Sequence, residues 1–285
     1  MTLPIFPTGL ADIADRYDTI LCDVWGVLHN GRRAFEGACQ ALVAFRRKGG
    51  RVVLITNAPV PKAQVVRYFE PLGVPAEAFD DCVSSGDATR AELVRRSDHK
   101  VWRLGADEGW EHDRFLYEGL DIDFTAPEAA DLLLCIGLRD QERDEPEDYR
   151  EELRIGVARG IPMLCANPDQ KVRIGGRLHW CAGALATIYE ELGGAVVYPG
   201  KPHAAIYDAA RDRLEVIGGV TDKSRMLAIG DSPATDMRGA RLQGIDSFYT
   251  GTGLKEHGEH FEQEIAALLQ EYGETATYAM PALKW

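Results

Sequence analysis

The chain has 285 residues, 45% of them hydrophobic and 27% charged, with a formal net charge of −13. That length and balance suit a folded chain with room for one large α/β domain and a smaller one. The acidic excess argues against nucleic acid or an anionic membrane as partner, because phosphate backbones are held by clustered Lys and Arg, and no apolar run approaches the roughly 20 residues of a membrane span.

The first ten residues carry neither a basic stretch nor an apolar core of secretory length, which sets the cytoplasm as the expected location. Residues 19–22 form a short apolar run that ends in Asp23. Residues 36–48 follow with Ala38, Ala41, Leu42 and Phe45 at helical spacing, and Gly49-Gly50 supplies a C-terminal cap. A second run, 52–55, ends in Thr56-Asn57, and Pro61 suits the first turn of a helix reaching Leu72. This βαβα opening predicts a parallel sheet covered by helices. Asp87, after Ser84-Ser85-Gly86, reads as part of a helix cap.

The middle of the chain has strand patterns of its own at 100–104, 131–136 and 161–165, a helix at about 148–159, and an acidic stretch, 139–148, that reads as a solvated loop. Beyond it, residues 195–197 lead into Tyr198-Pro199-Gly200-Lys201-Pro202 and a helix over 204–216. Residues 226–229 then end in Gly230-Asp231, with a helix predicted over 234–242. The predicted organisation is a core of residues 1–88 and 183–285 with an α/β cap, 89–182, inserted. Six cysteines (Cys22, Cys39, Cys82, Cys135, Cys165 and Cys181) stand singly, with no CxxC pair, and read as reduced core residues.

Polar clusters recur where the apolar strands end: Asp23-Val24-Trp25-Gly26, Thr56-Asn57, Gly200-Lys201-Pro202, and Gly230-Asp231 through Thr235-Asp236. Any one of them also fits a turn or a helix N-cap. Their order is the stronger signal, since ligands of open α/β sheets bind at the carboxyl ends of the strands. In that order they resemble the four motifs of the haloacid dehalogenase (HAD) superfamily. With the insert and Ala166-Asn167-Pro168-Asp169, the chain is similar to the class IIA subgroup, the NagD-like sugar and nucleotide phosphatases and the pyridoxal phosphate phosphatases. The resemblance implies a Rossmann-type parallel sheet core with a C2-type α/β cap.

It also implies a chemistry: Asp23 attacks phosphorus to give an aspartyl-phosphate, which water hydrolyses. A carboxylate attacking a dianionic phosphate needs its charge offset, and Mg²⁺ on oxygen ligands does this. Asp23, Asp231 and the main-chain carbonyl of Trp25 take the metal positions. Thr56 and Lys201 can meet the phosphate oxygens where charge spreads. Asn57 is expected to orient the nucleophile or the phosphate. Asp236 is either a carboxylate tuning Lys201 and metal-bound water or a first-turn acid of a helix. Asn167 and Asp169 belong either to a cap loop facing the substrate or to an ordinary turn. The implied partner is a small phosphorylated metabolite such as a sugar phosphate or nucleotide, and relatives often form homodimers through the cap.

One position departs from the pattern. Phosphatases of this family carry a second Asp two residues after the nucleophile, as general acid and then base, and here that residue is Trp25. Indole donates a hydrogen bond but does not titrate near neutral pH. Three explanations stand open: His29 substitutes as the acid; the substrate needs no acid; or catalysis is lost and a phosphate- and metal-binding protein remains.

Overall fold

In a computed structural model the chain is described over residues 3–106, 111–174, 177–253 and 260–285. Strands β1 (Thr19–Cys22), β2 (Arg51–Thr56) and β3 (Asp81–Ser84) come first. Then follow β4 (Lys100–Leu104), β5 (Asp123–Phe124), β6 (Leu132–Cys135), β7 (Met163–Cys165), β8 (Lys171–Ile174), β9 (Arg177–Trp180) and β10 (Val196–Val197). Strands β11 (Met226–Gly230), β12 (Asp246–Thr250) and β13 (Tyr278–Met280) close the chain. It divides into two compact units: residues 1–56, Val66–Val83 and Ile206–Trp285 in one, Asn57–Val65 and Ser84–Ala205 in the other.

The first unit is built on a six-stranded sheet of order β13-β12-β11-β1-β2-β3. Strands β1 and β2, β1 and β11, β11 and β12, and β12 and β13 pair in parallel. The chain enters at β1 in the middle, steps outward to β2 and β3, and returns to the other side of β1 at β11. The direction of winding therefore reverses between β1 and β11, and at such a point the connecting loops diverge and leave a crevice at the carboxyl ends of the strands. Every residue of β1 and β11 is buried, as expected of central parallel strands covered on both faces, which is why they read as unbroken apolar runs.

The helix Glu36–Arg47 turns Ala38, Cys39, Ala41, Leu42 and Phe45 inward and stops where Gly49 takes a φ of 98°, a conformation that favours glycine. The helix predicted from Pro61 to Leu72 is broken into Lys62–Arg67 and Phe69–Leu72. Pro71 has no N–H to give the Arg67 carbonyl, and the first segment ends at that residue. The run predicted as one helix after Gly230 opens as a π turn over Pro233–Met237 before the α-helix Arg238–Gln243.

The second unit has a five-stranded sheet of order β10-β7-β6-β4-β5, paired in parallel throughout, and an antiparallel hairpin, β8 with β9. Its extent differs from the predicted cap of residues 89–182, because β10 adds to its sheet beside β7, and the helix Ala182–Glu191 buries Ala182, Leu185, Ala186, Ile188 and Tyr189 in the core under that sheet. Residues 183–205 therefore belong with the insert. The acidic stretch 139–148 is pinned rather than merely solvated: Arg139 pairs with Glu152 through two hydrogen bonds, Tyr149 donates to Asp144, and the Glu145 N–H donates to Asp148 at 2.9 Å. All six cysteines are buried thiols, and no described helix is long and apolar enough to cross a membrane.

Candidate functional site

In the first unit, Asp23 follows β1 and Asp231 follows β11, so adjacent parallel strands deliver both carboxylates to the reversal point of the sheet. The register carries this beyond the strand ends, since Cys22 lies opposite Ile229 and the Asp23 N–H donates to the Ile229 carbonyl at 2.8 Å. Asp236 joins them from the π turn. The three carboxylates are buried, and a ligand oxygen of each lies within 4.8 Å of those of the other two.

Such a cluster is costly by itself. Two unit charges within 4.8 Å of one another repel by about 3 kcal/mol or more at an effective dielectric near 20. The Asp236 carboxylate accepts the N–H groups of Asp231 and Ser232 at 3.2 and 3.1 Å. Each such charge-assisted bond contributes roughly 1.5–3 kcal/mol, which offsets part of that cost. An oxygen-only set of three carboxylates suits a hard divalent cation better than zinc, whose protein sites are built mostly on nitrogen and sulfur.

Glycines shape the cradle around Asp231. Gly26, at φ 84°, and Gly253 press so closely on its carboxylate that a Cβ on either would overlap it, and the Thr252 hydroxyl ties the two loops by donating to the Gly26 carbonyl at 2.6 Å. Neither Gly253 nor Thr252 stood out from the sequence, although Gly-Thr-Gly directly after an apolar strand was the available signal. Tyr249 is buried in β12, and its phenol is pushed up by burial and then by the Asp231 and Asp236 charges, so it stays neutral. Thr56 closes β2 as a buried residue.

His29 packs among aromatic rings. It is buried, 4% exposed, and its Nδ1 accepts the Gly31 N–H at 3.1 Å. Its ring meets Trp25 edge to face with centroids 5.1 Å apart and Phe69 at 6.1 Å. Burial lowers its pKa to about 4, so the imidazole is neutral at pH 7 and serves as an interior wedge. The half-buried Trp25 ring is held from a second side by Gly31, where a Cβ would overlap its benzo edge.

The remaining predicted residues meet in the second unit. Asn57 and Lys201 are both buried. The Asn57 Oδ1 accepts the Lys201 N–H at 2.7 Å, while its Nδ2 donates to the Lys201 carbonyl at 3.1 Å and to the Asp169 carboxylate at 2.9 Å. The Asn167 side chain holds the Asp169 N–H at 3.0 Å, so Asn167-Pro168-Asp169 is a turn as well as a partner of Asn57. Asp87 reads as a cap residue: its N–H donates to Ser84, and its carboxylate accepts from the Ser84 hydroxyl and the Lys62 N–H. Arg177, in β9, pairs with Glu142 on the surface.

A doubly wound parallel α/β core whose strand ends gather three buried carboxylates at the reversal point defines the class of protein: an open α/β sheet with a cation-suited acid cluster where its ligands bind. The chain belongs to the haloacid dehalogenase-like hydrolases. The model of that family matches residues 20–114, and the HAD-hydrolase-like model matches residues 198–274. The crystal structure of a haloacid dehalogenase-like hydrolase from Brucella suis 1330 is 40% identical, with a TM-score of 0.84 over 98% of this chain and 100% of that one. The ribonucleotide monophosphatase NagD of Escherichia coli strain K12 is 26% identical over 82% of this chain and 88% of its own length. The sugar-phosphatase AraL of Bacillus subtilis strain 168 is 26% identical over 90% of this chain and 87% of its own.

Proposed function

We propose that the chain is a Mg²⁺-dependent phosphatase of small phosphorylated metabolites, of the sugar phosphate or nucleotide class, working through an aspartyl-phosphate at Asp23. The observation that carries this reading is the buried cluster of Asp23, Asp231 and Asp236 at the carboxyl ends of adjacent parallel strands. The names of the NagD and AraL relatives, a nucleotide phosphatase and a sugar phosphatase, support the substrate class. The acidic surface and buried thiols agree with a cytoplasmic protein, and the resemblance to class IIA adds a homodimer formed through the inserted unit.

Asp23, Asp231 and the Trp25 carbonyl would hold Mg²⁺, which when bound offsets the negative charge of phosphate and nucleophile. An Asp23 oxygen attacks phosphorus, the bond from phosphorus to the leaving oxygen breaks, and that oxygen departs with the electron pair. Water then attacks the phosphorus, releasing inorganic phosphate and restoring the Asp23 carboxylate. Thr56 and Lys201 are assigned to the phosphate oxygens, an assignment that rests on the motif order in the chain. Asp236, held by two backbone N–H groups, orients its neighbours.

Trp25 decides which substrates turn over. With neither Trp25 nor the buried His29 giving a proton, departure of an alkoxide goes unaided, so leaving groups that are stable as anions are favoured: acyl, enol and phenol-type phosphates. The reading is tested with p-nitrophenyl phosphate and Mg²⁺. Hydrolysis should be abolished by EDTA and by Asp23→Asn, with Mg²⁺ binding largely retained in the variant; an unchanged rate in Asp23→Asn overturns it.

A further inference from the structure

The side chain of Asn57 is fully engaged, and with protein rather than with an open space. Its Oδ1 takes the Lys201 N–H at 2.7 Å, and its two N–H groups go to the Lys201 carbonyl at 3.1 Å and the Asp169 carboxylate at 2.9 Å. A backbone N–H only donates, and a carbonyl or carboxylate only accepts, so these partners fix which end of the amide is oxygen. The amide thus mimics a neighbouring strand, closing on both polar groups of a single residue. Around it the packing leaves no slack, since a Cβ on Gly200 would overlap the Asn57 Oδ1 and the Pro168 ring. Asn57 is 3% exposed and Lys201 2%.

We infer that Asn57 is a positioning residue for Lys201: it clasps the lysine backbone, is itself oriented by Asp169, and does not bind the phosphate. The inference rests on the phosphatase reading, in which Lys201 meets the phosphate, and it replaces the expectation that Asn57 touches substrate. An ammonium at the end of four methylenes delivers its charge accurately only if the backbone from which it springs is fixed, and a shift of about 1 Å at a charge-stabilising group costs roughly a hundredfold in rate.

A double-mutant cycle on the full chain separates this from direct binding. With p-nitrophenyl phosphate and Mg²⁺, Asn57→Ala should lower kcat about tenfold to a hundredfold. In a Lys201→Ala background the same change should cost less than about twofold, because the group through which Asn57 acts is gone. The companion variant Asn57→Asp keeps the shape and can still accept the Lys201 N–H, yet it has no N–H for the Lys201 carbonyl or for Asp169. It should fold and show the same pattern if the alanine variant does not. The thermal shift produced by inorganic phosphate with Mg²⁺ gives a second readout: Asn57→Asp should reduce it in the otherwise unaltered chain and leave it unaltered beside Lys201→Ala. Additive losses in kcat, or a loss of phosphate response that persists without Lys201, would mean that Asn57 meets the phosphate itself and would overturn the inference. Asp23→Asn, measured alongside, keeps the two failures apart, since retained activity there sinks the phosphatase reading whatever the cycle shows.

Discussion

Gly253 lies so close to Asp231 that a side chain of even one carbon would overlap the carboxylate. A small residue three positions after the end of β12 would not ordinarily matter, but here it sets where an acid of the cluster can stand. Gly253→Ala should therefore displace Asp231 and lower kcat/KM for p-nitrophenyl phosphate by about a hundredfold while changing the far-ultraviolet circular dichroism little. Retention of wild-type kcat/KM and Mg²⁺ affinity would show that the cradle has slack.

The three clustered acids should destabilise the chain when no cation is present. In EDTA, Asp231→Asn should raise the free energy of unfolding, by on the order of 1–3 kcal/mol. Adding Mg²⁺ should reverse the ranking, since a cation that binds only the folded state stabilises it in proportion to the logarithm of its concentration over Kd. Urea titrations of both chains, with EDTA and with Mg²⁺, check both signs.

His29 has a folded pKa of about 4 against an ordinary value of 6.5, the result of burial. Between those values the unfolded chain binds a proton that the folded chain does not, so the stability contribution is complete above pH 6.5 and is lost as pH falls toward 4. The full difference is about 3 kcal/mol. His29→Gln should flatten the fall in unfolding free energy from pH 7 to pH 5 and leave the pH–rate profile in the same place. A displaced rate profile would mean that His29 does exchange protons during turnover.

Much of this was legible in the sequence, and the reasons for the rest are physical. Asp23 and Asp231 stood out because each ends an apolar run, and central parallel strands are apolar on both faces. The edge strand β13, only three residues long, and the two-residue β10 are too short to leave a periodic signal. The Gly26 and Gly253 cradle depends on chain segments far apart in sequence, which no local pattern reports. Asn57 stands out by position, but that its amide bonds the Lys201 backbone and Asp169 is visible only in the coordinates. The burial of His29 against Trp25 and Phe69 likewise depends on segments that no local pattern brings together.

Trp25 should limit the enzyme to leaving groups that depart as stable anions. Across a series of aryl and alkyl phosphates the rate should fall steeply as the leaving-group pKa rises. Trp25→Asp should raise turnover of alkyl phosphates by roughly a hundredfold or more, the usual contribution of a general acid. An equal rate for aryl and alkyl esters in the unaltered chain would show that another group protonates the leaving oxygen.

The central claim, nucleophilic attack by Asp23, is tested most directly by rapid mixing with p-nitrophenyl phosphate and Mg²⁺, followed by acid quench and borohydride reduction. Nitrophenolate needs no proton to leave, whereas hydrolysis of the acyl phosphate has no base beside it in Trp25. The phosphoenzyme should therefore accumulate, with a burst of about one nitrophenolate per chain and conversion of Asp23 to homoserine on reduction. Turnover with no burst and no reduction at Asp23 would contradict the account.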